Sequence, residues 1–181
     1  MAIVPDDKDW TWVLERPCPE CGLDASTLRA ADIAQLVRGN AGAWIRLLAA
    51  APADQLRRRP RDDRWSAIEY ACHVRDVCAL YRYRLGLMLD EDDPLFPNWD
   101  QDAAAVEGDY GAQDPAVVAG QLDDQTAQLA DAFDAVRGDQ WRRKGRRSDG
   151  ATFTVDTFSR YMVHDPIHHL YDVTGERPAP S

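Results

Sequence analysis

The chain has 181 residues, 45% of them hydrophobic and 29% charged, and a formal net charge of −10. That length suits one compact domain with a full core, or at most one and a half. The acidity excludes general affinity for nucleic acid and for anionic membranes, which call for a basic surface, and no apolar run approaches the roughly 20 residues that span a bilayer.

Met1 to Asp9 lack the basic-then-apolar order of a signal peptide. A cytoplasmic location is therefore expected, with Cys18, Cys21, Cys72 and Cys78 reduced unless catalytic or metal-bound. Lys8 and Lys144 are the only lysines, and the wealth of arginine and alanine points to a GC-rich bacterial genome.

Residues 1–26 read as an N-terminal arm. Pro5, Pro17 and Pro19 interrupt any helix, and Trp10-Thr11-Trp12-Val13-Leu14 alternates like a short strand or an extended segment. Two tryptophans carry enough apolar area to dock the arm on the body. Cys18-Pro19-Glu20-Cys21-Gly22 looks like half of a zinc ribbon, but no second Cys-x-x-Cys follows. Pro17, Pro19 and Gly22 also spoil the strand-to-helix context of a redox pair. A tight turn with small buried thiols, or an incidental disulfide, stands beside those readings.

A first helix is expected from Ser26 or Thr27 to Ala51, on the spacing of Leu28, Ile33, Val37, Trp44 and Leu48. The arginine run from Arg57 to Arg64 reads as a solvated connection. The second helix opens at Ser66-Ala67-Ile68-Glu69, a capping box, with Trp65 placed to staple against Tyr70. Ile68, Ala71, Val74, Cys78, Tyr81, Leu85 and Met88 mark its core stripe, and His73 lies at the edge of that stripe. Glu69 and Asp76 flank His73 at i−4 and i+3.

Residues 91–113 form a long acidic connection holding Phe96, Trp99 and Tyr110, which reads either as a lid over a pocket or as a loop spanning the bundle end. Asp114-Pro115 starts a third helix that Gly138 ends. The basic island from Trp141 to Gly150 reads as an anion-holding segment or as a solvated loop. A fourth helix runs from Val155 to Val173, capped by Thr154 and carrying Pro166, which removes one backbone hydrogen bond and predicts a kink.

Three of the four histidines lie on that fourth helix. His164 and His168 are four apart, which places both imidazoles on one helical face. Two neutral imidazoles so placed, with His73 from the second helix, can share one divalent metal ion. Satisfied core histidines are the bland alternative. His169 points elsewhere on the wheel and reads as structural or as an outer-sphere group.

Trp65-Ser66-x-x-Glu69-x-x-x-His73 on helix two and His164-x-x-x-His168-His169 on helix four resemble the DinB superfamily, which includes bacillithiol- and mycothiol-dependent S-transferases. The resemblance covers about residues 27–175, with residues 176–181 left as a C-terminal tail. It implies an all-α four-helix bundle with long crossover loops. It also implies one divalent metal, zinc or nickel, held by His73, His164 and His168, and a frequently dimeric assembly. The arm and Pro166 depart from the common pattern.

The function so implied is an S-transferase that activates a low-molecular-weight, mycothiol-like thiol on the metal for attack on a small electrophile. Glu69 and Asp76 are candidate partners of the ligands, and Tyr161 a candidate hydrogen-bond donor to substrate. A non-catalytic metal-binding stress protein and a metal-hydroxide hydrolase are the alternatives.

Overall fold

The computed structural model describes residues 10–61 and 64–178. The segment Met1–Asp9, which bears on the signal-peptide expectation, and the end of the C-terminal tail lie outside the described residues.

Four long helices carry the fold, with two short ones between them. They are α1 (Ile33–Ala50), α2 (Ala53–Leu56), α3 (Ala67–Asp90), α4 (Gln101–Glu107), α5 (Pro115–Ala135) and α6 (Val155–Thr174). Packing sets α1 and α3 each against both α5 and α6. The order around the bundle is therefore α1, α5, α3, α6, and the connections from α1 to α3 and from α5 to α6 cross between opposite corners. Trp44, Ile68, Leu85, Met88, Leu122, Leu129, Phe158 and Met162 fill the middle.

The helix starts follow local chemistry. Ser66 and Glu69 form the expected capping box on α3, the Ser66 amide donating to Glu69 Oε2 at 2.8 Å. Trp65 meets Tyr70 edge-on, 5.5 Å between ring centroids. Asp114 caps α5 with Pro115 in its first turn. Thr154 caps α6, which runs unbroken past Pro166 to a left-handed Gly175 at φ +71°.

Three segments differ from expectation. The first helix begins at Ile33, because Ala25–Thr27 and Ala30–Asp32 form separate 3-10 turns joined through an extended Leu28. That break lets Leu28 enter the core. The alternating Thr11–Leu14 segment is also a 3-10 turn and not a strand: Val13 donates to the Trp10 carbonyl at 3.1 Å and Glu15 to that of Trp12 at 3.0 Å. A lone strand would leave those amides without partners.

The basic island forms a hairpin of β1 (Lys144–Arg146) and β2 (Thr152–Thr154), antiparallel with Gly145 opposite Phe153. Residues 94–96 join its edge, the Phe96 amide donating to the Arg146 carbonyl and the Arg146 amide to that of Pro94, both at 2.8 Å. Gly145 is required there, since a Cβ would sit 2.5 Å from Phe96 Cζ and 2.8 Å from Met88 Cγ. Among the described residues no helix is long and apolar enough to cross a membrane.

Candidate metal centres

Helix α6 presents two pairs of potential ligands, offset by one residue. Asp165 and His169 face α3. With His73 they form a group whose ligand atoms all lie within 4.8 Å of one another. His164 and His168 face the N-terminal arm and form a second such group with Cys18 and Cys21. His73, His164 and His168, the set read from spacing, do not form one such group among the described residues.

The separation is a matter of helix rotation. Consecutive residues on a helix are turned about 100° apart, so the pairs 164/168 and 165/169 cannot look the same way. The rotation of α6 is fixed by Phe158, Met162 and Ile167 in the core. It is also fixed by the Pro166 carbonyl, which accepts from Asn40 Nδ2 at 3.1 Å and from Trp44 Nε1 at 3.3 Å on α1.

The first group has the marks of a ligand set. His73 is buried and neither ring nitrogen has a hydrogen-bond partner, and the same holds for Asp165 Oδ2. His73 Nε2 and Asp165 Oδ2 lie 3.5 Å apart, near the roughly 3.4 Å that separates two ligand atoms on one tetrahedral ion. His169 Nε2 is 3.5 Å from Asp165 Oδ1, while its Nδ1 is 3.3 Å from Asp172 Oδ2. That second contact is the carboxylate support that orients a metal-binding imidazole.

The charges in this group are strongly coupled. Burial works against charge on His169, but Asp165 and Asp172 outweigh it and lift its pKa to about 9. Burial likewise opposes ionisation of Asp165, and the His169 and His73 rings overcome it, holding the carboxyl well below its usual range. A divalent cation would take the place of that proton.

A cavity of about 200 Å³ is lined by Arg84, Phe96, Trp99 and Arg147 among others, and by none of the three residues of the group. Trp99 links the two, since it lines the cavity and its ring stacks on His73 at 5.7 Å. The 91–113 connection therefore does cover one side of the group, held by the buried Phe96 and Tyr110. Arg147 Nη1 donates to the Tyr161 hydroxyl at 2.7 Å.

Glu69 and Asp76 are placed otherwise than on His73. The Glu69 carboxylate takes the capping amide and Arg59 Nε, the latter at 3.0 Å. Asp76 takes Arg75 Nε at 2.7 Å and the Tyr110 hydroxyl. The carboxylate that reaches His73 is Asp165.

The DinB superfamily profile matches residues 9–173. The chain belongs to the DinB superfamily. The match begins inside the arm, so that segment lies within the family's span. No curated protein sequence matches the chain. Among solved structures it is similar to YfiT from Bacillus subtilis, described as a probable metal-dependent hydrolase with an unusual four-helix bundle topology. The TM-score is 0.75 at 18% identity, covering 88% of this chain and 91% of that one. It is also similar to a mycothiol-dependent maleylpyruvate isomerase, with TM-score 0.69 at 13% identity, over 85% of this chain and 66% of that one. A mutant of that isomerase, with one histidine replaced by alanine, matches at TM-score 0.69 and 12% identity, with the same coverage.

Within the DinB bundle, one candidate ligand on α3 stands opposite an i, i+4 pair on α6. Spacing could point to that arrangement, but two overlapping pairs satisfied it. Asp165 is a candidate ligand of a type the histidine pattern did not include.

Proposed function

We propose that this DinB protein is a metal-dependent enzyme that transfers a low-molecular-weight thiol to a small electrophile bearing a carboxylate. The observation that carries the reading is the group His73, Asp165 and His169, joined through Trp99, which stacks on His73, to a cavity that holds two arginines. Three ligands leave part of an ion's coordination open, as in catalytic sites and unlike closed structural ones.

The orphaned nitrogens of His73 and the unpartnered Asp165 Oδ2 fit a divalent ion. When bound, such an ion supplies a Lewis acid that makes a coordinated thiol or water acidic enough to react near neutral pH. Asp165 offsets one of its two charges, and Asp172 holds the His169 ring by Nδ1.

The chain's own residues supply the rest. Arg84 and Arg147 share the cavity, and Arg84 feels the like charge of Arg147, which favours an anionic occupant. Arg147 is planted by Asp149 and Tyr161, leaving the second N–H of Nη1 and of Nη2 to orient a carboxylate. Tyr161 accepts from Arg147 and retains its own O–H to donate to a substrate oxygen. Burial first, opposed by Arg147, raises the Tyr161 pKa, which keeps that proton in place. Phe96 and Trp99 screen the reacting atoms from bulk water.

The likeness to a mycothiol-dependent isomerase supports thiol as the nucleophile, and the likeness to a probable hydrolase supports water. Metal-replete protein is to be incubated with an α,β-unsaturated carboxylate, with and without mycothiol, bacillithiol or glutathione. Loss of thiol and electrophile together, abolished by His169→Ala, is the expected result. Activated-ester cleavage that needs His169 but no thiol would replace this reading by the hydrolase. Metal-loaded protein that does neither would leave a binding protein.

A further inference from the structure

The Cys18-Pro19-Glu20-Cys21-Gly22 turn lies against α6. The Gly22 amide donates to the Cys18 carbonyl at 2.8 Å, and the Cys18 amide to that of Leu23 at 2.9 Å. Gly22 closes the turn at φ +81°, a conformation that favours glycine. Arg177 Nη2, from beyond α6, donates to the Pro19 carbonyl at 3.0 Å. The turn aims two thiols at one point. Cys18 is 1% exposed and Cys21 fully buried, and all four cysteines are unpaired.

The imidazoles of His164 and His168 come to the same point from α6, 5.1 Å apart by ring centroids. His164 Nε2 is buried without a hydrogen-bond partner. His168 Nδ1 is 3.6 Å from Cys18 Sγ. Metal–sulfur and metal–nitrogen bonds of about 2.3 and 2.0–2.1 Å at a tetrahedral angle put S and N roughly 3.5 Å apart. His168 Nε2 turns the other way, 3.7 Å from Asp172 Oδ2 and 3.9 Å from Glu20 Oε2, the outer support that frees Nδ1 to ligate. Trp10 covers both rings, at 5.6 Å from His164 and 5.1 Å from His168.

We propose that Cys18, Cys21, His164 and His168 form a second, structural zinc site that clips the N-terminal arm to α6, separate from the group at the cavity. Two thiolates and two neutral imidazoles cancel the charge of a dication, so the closed complex is neutral where it is buried. A thiol–imidazole hydrogen bond between Cys18 and His168 accounts for one contact of the four groups and leaves His164 Nε2 orphaned. An ion satisfies all four. The clip joins residues about 150 apart in sequence. It therefore restrains the unfolded chain strongly and fixes the rotation of α6 on which Asp165 and His169 depend.

The test is cobalt substitution of the full chain, followed by absorption spectroscopy. Wild-type protein is expected to show a thiolate-to-cobalt charge-transfer band and intense tetrahedral visible bands. The thiolate band should saturate at one cobalt per chain and persist in His169→Ala, which removes a ligand of the other group. As-isolated wild-type protein should hold two divalent ions per chain, falling to one in Cys18→Ser/Cys21→Ser. No thiolate band in wild-type protein, or a Cys18–Cys21 disulfide in the mass of freshly purified protein, overturns the proposal without reference to any variant. If the cavity group fails to bind metal, the thiolate band alone still decides this site.

Discussion

His168 and His169 are consecutive in α6, yet they belong to different ligand groups. Their ring centroids are 6.1 Å apart and the rings stand at 71°. His168 turns toward Cys18 and His169 toward Asp165. Between them stands Asp172, with Oδ2 at 3.3 Å from His169 Nδ1 and 3.7 Å from His168 Nε2. Its Oδ1 accepts from Arg64 at 2.8 Å. One carboxylate thus orients an imidazole of each group.

Asp172→Asn keeps the shape and removes the charge that supports both rings. Metal retention should fall at both groups, by about 10- to 100-fold each. Competition with a chelator, followed separately by metal analysis and by the thiolate–cobalt band, measures the two losses. Retention unchanged at both would show that Asp172 serves the Arg64 ion pair alone.

The same stretch shows where the sequence was legible and where it was not. Caps were local and readable: Ser66 with Glu69, Asp114 with Pro115, and Thr154 each act within one turn. The apolar stripe of α3 was readable for the same reason. The division of the candidate ligands was not, because Asn40 and Trp44 on another helix hold the Pro166 carbonyl and so set the rotation of α6. The Cys-x-x-Cys looked incomplete because its other two candidate ligands lie more than 140 residues downstream, on a helix. The hairpin was hidden because strands of three residues carry almost no period.

Glu69 ties the start of α3 to Arg59. Burial would raise its carboxyl, but hydrogen bonds from Arg59 and Ser66 outweigh that and hold it below its ordinary value. A folded-state value below the unfolded one means stability that is complete above about pH 4.3 and lost as pH falls through the folded value. Glu69→Gln retains the capping geometry and loses the charge. It should destabilise the protein by about 1 kcal/mol at pH 7, with the gap to wild type closing in the acid range. Urea midpoints measured across that range check it, and a gap that does not depend on pH would refute it.

Gly145 lies in the first strand of the hairpin, where Phe96 and Met88 leave no room for a Cβ. Gly145→Ala should destabilise the fold by about 1–3 kcal/mol through overpacking. It should also move Phe96, which lines the cavity. A denaturation midpoint equal to wild type would show that Phe96 can shift freely, and the cavity wall would then be softer than its packing indicates.

Arg84 carries the last test, because its interests in folding and in binding oppose each other. Its guanidinium is buried, and among the described residues Nε has no partner and Nη2 donates to the Pro97 carbonyl at 3.2 Å. The rings of Tyr81 and Phe96 lie beneath it, at 5.9 and 5.4 Å. Burial, and the like charge of Arg147, lower its pKa despite the ring of Tyr81. Such a charge is poorly compensated in the free protein, and replacing a buried charge by an apolar chain of similar length is often neutral or stabilising. Arg84→Met should therefore be at least as stable as wild type. If the cavity takes a carboxylate, the same variant should bind that substrate about 10- to 100-fold more weakly, since a charge-assisted hydrogen bond is lost. Thermal melting and the KM for the carboxylate electrophile read the two effects independently. A variant that melts lower with KM unchanged would make Arg84 a strut of the bundle, and the anion would have to be held by Arg147 alone.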